Sequence, residues 1–270
     1  YTCKKLTGKE FALSTNSDIY IYNVDTKKTE NISSFNPGYD MDPVFSPDGK
    51  YIVWSSMKTP GFESDKKRIM IYDFVSQKSE DYSMNFDQSS ENFKWSSDSK
   101  SIYFISATKA THQIYNLELK TKKITQITKG WHDYTELQFA GKYLVGSKMS
   151  ISLPSEIFNI NLKTLEEKQI TFTNAEKLKT IQLGEVKERW VKTTDGKSML
   201  VWVIYPPGFD PSKKYPALLY CQGGPQSAVS QFFSYRWNFQ MMAARGYIVV
   251  APNRRGLPSF GSEWNDQISL

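Results

Sequence analysis

Along the first two thirds of the chain, apolar residues alternate with polar ones in short runs, the period-2 signature of half-buried β-strands. Four of these runs share one order of parts: an alternating strand, a turn of Thr or Ser with Lys, and a second strand. They are IYIYNVDTKKTENIS from Ile19, IMIYDFVSQKSEDYS from Ile69, QIYNLELKTKKITQIT from Gln113 and EIFNINLKTLEEKQIT from Glu156. Their turn residues Thr26, Ser76, Thr121 and Thr164 are 50, 45 and 43 positions apart. Between them lie DPVFSPDGKYIVW from Asp42, ENFKWSSDSKSIYF from Glu91 and TELQFAGKYLVG from Thr135, each reading strand, tight turn, strand. The Ser46-Pro47-Asp48-Gly49 turn has matching chemistry, since proline fixes φ and glycine supplies a positive φ where the hairpin reverses.

Two hairpins per period make a four-stranded unit of about 45 residues, the repeat of a β-propeller blade. A β-sandwich also has closely spaced short strands, but it would not repeat both hairpins in a fixed order. The opening KEFALSTNSDIYIY supplies only the later strands of its unit. Residues 1–172 are therefore expected to form about three and a half C-terminal blades of a propeller. Further blades are expected upstream, because an open arc of blades exposes two sheet edges.

Near residue 173 the pattern changes. A polar stretch over residues 173–182 reads as a linker, and residues 183–270 read as the N-terminal portion of an α/β domain. Trp190 to Thr194 and Met199 to Tyr205 predict a hairpin about Asp195-Gly196. Pro216 to Cys221 is a near-continuous apolar run, which predicts a strand buried on both faces. Phe233, Trp237 and Met241 recur every four residues ahead of Gly246, predicting a helix and its stop. Tyr247 to Ala251 then predicts a second buried strand, completing a βαβ unit whose ligands sit at the carboxyl ends of its strands.

Composition narrows the function classes. The chain has 270 residues, 39% of them hydrophobic and 14% aromatic, enough for about two globular domains. No apolar run is long enough to cross a membrane, and no signal-peptide core is present. The net charge of +6 comes from lysines at the turns, such as Lys27, Lys28, Lys66, Lys67, Lys122 and Lys123. That is a solvated rim rather than a nucleic-acid footprint, which would gather basic and stacking residues on one element. Cys3 and Cys221 lie far apart with no ligand partners at motif spacing, so they read as free thiols and no metal site or cofactor is expected.

The loop CQGGPQS, at the carboxyl end of the predicted strand ending at Cys221, is the motif with chemical content. Two successive glycines let main-chain N–H groups turn outward unobstructed, and in α/β-hydrolases the loop after this strand donates one N–H to the oxyanion hole. A tight turn leading into the helix is the plainer alternative. The loop is not a phosphate cradle, since it lacks the Lys-Ser/Thr that a P-loop requires.

At this point the chain resembles the prolyl oligopeptidase family (S9) of serine peptidases. The likeness lies in the order of propeller before hydrolase, in the PDGK-type turns, and in YPPGFDPSKKYPALLYCQGGPQS, AARGYIVVAPNRRG and GLPSFGSEW. It is most similar to the bacterial dipeptidyl peptidase 5 and acylaminoacyl-peptidase branch, whose loop carries Gly-Gly-Pro. The resemblance implies a peptide substrate, no cofactor, acyl transfer through a serine, and a propeller that restricts entry to short or flexible peptides. It also allows a homodimer of the whole protein and favours the periplasm over the cytoplasm.

Many members have Tyr or His where this chain has Gln222, so a side-chain amide replaces a phenol donor. Gln222, Gly223 and Gly224 are the oxyanion-hole candidates, with loop packing as the alternative role for Gln222. Arg255 is the candidate support for the active-site loops, with a plain ion pair as its alternative. The triad of this fold runs Ser, Asp, His from a G-x-S-x-G elbow, and no such elbow occurs in the 270 residues. The triad is expected beyond Leu270, and the chain by itself is expected to be inactive. His112 and His132 read as surface or hairpin residues of the propeller. Two other readings stand beside the peptidase: a non-catalytic propeller binding module with a degenerate hydrolase domain, and a small-molecule esterase.

Overall fold

The architecture, described by a computed structural model over residues 1–223 and 227–268, is propeller-type blades followed by the start of an α/β-hydrolase domain. The opening sheet joins Thr2–Cys3 (β1), Asp18–Tyr22 (β2) and Thr29–Asn31 (β3), with helix Gly8–Leu13 (α1) between the first two. The next is a meander of Asp40–Phe45 (β4), Tyr51–Ser56 (β5), Arg68–Asp73 (β6) and Lys78–Asp81 (β7). Two further meanders follow: Glu91–Trp95, Ser101–Thr108, Thr111–Glu118 and Lys123–Gln126 (β8 to β11), then Asp133–Ala140, Tyr143–Ser150, Leu153–Asn161 and Glu167–Gln169 (β12 to β15). One parallel pairing, His112 with Asp133, links these last two blades.

The repeat has a physical basis at two points in each unit. The outer hairpins all end on a residue in the left-handed region, Lys27, Gln77, Lys122 and Leu165, with φ of 58°, 55°, 56° and 60°. That is the geometry of a hairpin loop closing on an αL residue. Just beyond each outer strand, a hydroxyl accepts the N–H that opens the neighbouring strand's core run. Ser33 serves Ile19, Ser83 serves Ile69, Thr128 serves Ile114 and Thr171 serves Ile157, at 2.9, 3.0, 2.9 and 2.8 Å. Ile19, Ile69 and Ile114 are buried, and in all four units the returning hydroxyl satisfies an N–H that the ladder leaves open.

After helix Ala175–Leu178 (α2), the second domain's sheet begins with Val186–Lys192 (β16) and Ser198–Ile204 (β17), paired antiparallel about the Asp195-Gly196 turn. Ala217–Leu219 (β18), Phe239–Ala244 (α3) and Ile248–Pro252 (β19) form the βαβ unit, with β18 and β19 parallel. The strand order is β16-β17-β19-β18, and Ser262–Asp266 (α4) follows.

Two expectations for this domain are corrected. Among the described residues β18 pairs with β19 alone and is exposed, Leu219 at 65%, while α3 packs over β17 and β19. The helix is also shorter than its four-residue spacing predicts. Ser234 Oγ accepts from the N–H groups of Arg236 and Trp237, and a local turn of this kind competes with helix. Asn238 then caps α3 by accepting from Met241 N–H. As a result Phe239, Gln240 and Ala243 are buried, whereas Trp237 and Met241 face outward.

The two domains share a core. Ala110 and Ile151 from the blades are buried in one cluster with Leu200, Trp202, Val229, Phe239 and Leu257. Around it, Ser259 accepts from Lys109 N–H and from Ala110 N–H, and Ser262 donates to Asp87. Cys3 and Cys221 are free. No helix among the described residues is long and apolar enough to cross a membrane.

Candidate active site

The carboxyl end of β18 opens onto a cavity of about 710 Å³ between the blades and the hydrolase domain. The innermost strands of three blades each carry a bulge at the cavity wall. Asp42 and Asn92, with φ of 57° and 58°, and Thr135 stand at these irregularities. A bulge re-aims a side chain out of the ladder, and all three residues line the cavity. Asn92 also ties two blades together, donating from Nδ2 to the Thr135 carbonyl at 3.2 Å and to Glu136 at 3.3 Å.

On the hydrolase side the wall is Tyr220, Gln222, Ser227, Ala228, Ser230 and Phe232. Tyr220 OH donates to Gln222 Oε1 at 2.8 Å, and Gln222 Nε2 donates to Ser227 Oγ at 2.8 Å. The amide thus bridges the two limbs of the loop, which is the packing role weighed against oxyanion chemistry. A primary amide has two Nε2–H donors, and among the described residues Ser227 takes one of them. Gly223 is exposed, and a β-carbon placed there would meet nothing within 4 Å, so its surroundings leave room for a ligand's approach to the main chain. Gly224 lies outside the described residues. Burial pushes the Tyr220 phenol above its ordinary pKa, which keeps it a neutral donor to Gln222.

The returning limb is held from several sides. Val229 is fully buried, with its N–H bonded to Asn253 Oδ1 and its carbonyl receiving both Asn253 Nδ2 and Trp202 Nε1. Ser230 Oγ donates to Asp133 Oδ2 at 2.6 Å, a bond from the hydrolase domain to the blades. Asp133 also accepts from His112 N–H at 2.9 Å and faces His112 Nδ1 at 3.2 Å.

His112 lies in the β9–β10 hairpin and is partly exposed, within the surface-or-hairpin reading, whereas His132 departs from it. His112 stands on the cavity wall at the blade junction, and His132 is buried, edge-on to Tyr134. Burial disfavours the His112 cation, but Asp133 and then Glu91 outweigh it and raise its pKa. For His132, burial and the nearby Lys148 push the pKa down to about 4.

Arg255 forms an ion pair with Asp195 of the β16–β17 turn and lies over the Trp264 ring at 5.3 Å. That pair, followed by Thr193, holds the Asp195 carboxyl well below the usual range. The contact with the glycine loop comes from Arg254, which donates to the Gln222 carbonyl at 3.1 Å and to its neighbour's carbonyl at 2.8 Å. The sequence reading missed Arg254, and also Asp133, Ser230 and Asn253. Two adjacent arginines after a strand end give no signal for which one turns toward the loop, and the other three act across a domain boundary or a crossover.

Residues 2–203 match the TolB beta propeller domain, and residues 233–270 match the prolyl oligopeptidase family. Two proteins called dipeptidyl-peptidase 5 are similar over the whole chain, at 47% identity in Porphyromonas gingivalis and 48% in Porphyromonas endodontalis. The chain belongs to the prolyl oligopeptidase family. Within that family it lies on the dipeptidyl-peptidase 5 branch, and it spans 39% of the length of these two relatives. Among solved structures of similar fold, the Pyrococcus horikoshii acylaminoacyl peptidase superposes with a TM-score of 0.78 at 22% identity, covering 93% of this chain and 38% of that one. Porphyromonas gingivalis dipeptidyl peptidase 4 superposes with a TM-score of 0.61 at 17% identity, covering 94% and 44%.

Proposed function

We propose that this chain is part of a serine peptidase that cleaves short peptides by acyl transfer, with dipeptides leaving from the amino terminus as the favoured product. The observation that carries this reading is the placement of the Tyr220–Gln222–Ser227 bridge. It sits at the carboxyl ends of the parallel strands and on the wall of a cavity that blades and hydrolase domain build jointly. Two walls from two domains limit the size of what enters, which suits short or extended peptides. The dipeptidyl-peptidase 5 relatives support the dipeptidyl preference over removal of single acylated residues. The second Nε2–H of Gln222, which no described residue takes, and the exposed backbone at Gly223 supply donors for a developing oxyanion. The nucleophile and its partners belong to sequence outside these residues, so the 270-residue chain by itself gives no turnover.

The test uses the whole protein with chromogenic dipeptidyl and N-acylated single-residue substrates, and a serine-directed phosphonate as inhibitor. Phosphonate-sensitive release from dipeptidyl substrates supports the reading. Preference for the acylated substrates would shift it to the acylaminoacyl type, and absence of phosphonate-sensitive turnover on either would overturn it.

A further inference from the structure

The bond between Ser230 and Asp133 joins the catalytic-type loop to the propeller, on the carboxylate oxygen that His112 leaves free. Asp133 is 1% exposed and Ser230 is 3% exposed, so their 2.6 Å bond is shielded from water. The carboxylate is itself fixed from the blade side by the His112 N–H and imidazole, at the pairing that joins the last two blades. Three residues before Ser230 lies Ser227, which receives the Gln222 amide. Between them Val229 is clamped at both main-chain groups, leaving this limb no slack. A displacement at Ser230 is therefore passed along a short, constrained segment to the atom that orients Gln222.

We infer that Asp133, acting through Ser230, is a positioning residue: the propeller holds the returning limb of the loop, and with it the Gln222 amide, in the geometry that acyl transfer uses. The inference rests on the peptidase reading above. It makes the propeller a structural part of the reaction site as well as a wall around it. Misplacement of a positioned group by about an ångström costs on the order of a hundredfold in rate, so loss of this one bond is expected to appear in kcat before it appears in KM.

The experiment compares wild type, Ser230→Ala, Asp133→Asn and the double variant of the whole protein, by steady-state kinetics and by the rate of labelling with a fluorophosphonate probe. Ser230→Ala removes a single buried oxygen and tests the link even if Asp133→Asn fails to fold. The expected result is a fall of tenfold or more in kcat with KM changed less than about threefold, slower labelling, and a double variant no worse than the worse single one. A kcat within twofold of wild type for Ser230→Ala, or effects of the two changes that multiply, overturns the inference. Wild-type protein that takes no label sinks the peptidase reading itself, whereas labelled wild type with unaffected variants sinks the positioning role alone.

Discussion

Asn253 grips both main-chain groups of Val229, accepting from its N–H at 2.9 Å and donating to its carbonyl at 3.0 Å. Both residues are fully buried, so neither group can turn to bulk water if the side chain is lost. Asn253→Ala is expected to destabilise the hydrolase domain by about 2 kcal/mol, the cost of a buried donor left unmade. The Val229 carbonyl keeps Trp202 Nε1, which limits the loss to the N–H. Urea denaturation of the whole protein, followed through the hydrolase transition, reads this directly.

His132 gives stability a dependence on acid. Its folded-state pKa of about 4 lies below the ordinary 6.5, so between these values the unfolded chain binds a proton that the folded chain refuses. Stability is complete above about pH 6.5 and falls as pH drops toward 4, by roughly 3 kcal/mol for a shift of this size. His112 has the opposite sign: its raised pKa contributes below the ordinary value and is lost as pH rises through the folded one. In His132→Gln the loss of stability from pH 7 to pH 4 should shrink by about the stated amount. An unchanged acid dependence in denaturation curves would assign the loss to carboxylates instead.

Gln222→Ala in the whole protein should lower kcat more than it changes KM, because an oxyanion donor acts on charge that exists only in the transition state. A donor of ordinary strength is worth on the order of a hundredfold or more in rate. Gln222→Glu should be worse, since the carboxylate would repel the developing charge. If Gln222→Ala keeps its rate within about threefold and merely melts earlier, the amide serves only to pack Tyr220 against Ser227.

The blades were legible in the sequence because their determinants are local. An alternating strand, an αL turn residue and a returning hydroxyl all fall within one repeat, as at Asp73, Gln77 and Ser83. The hairpin about Asp195-Gly196 was legible for the same reason. The site was not, because its determinants are long-range. Ser230 meets Asp133 across 97 residues and Gln240 meets Ser152 across 88, and no short pattern encodes such meetings. The helix expectation failed where a period-4 apolar spacing was overridden by the Ser234 and Asn238 side chains taking the N–H groups a longer helix would need.

The bulges at Asp42, Asn92 and Thr135 set a carboxylate, an amide and a hydroxyl at corresponding places on successive inner strands. At Asp42 and Asn92 the irregular conformation recurs across the repeat, while what projects from it changes freely. Such a wall can be rewritten one blade at a time, except that replacing Asn92 also gives up the bonds that tie its blade to the next. Relatives on this scaffold are then free to diverge in preference through a handful of tolerant positions, without renegotiating the fold that presents them.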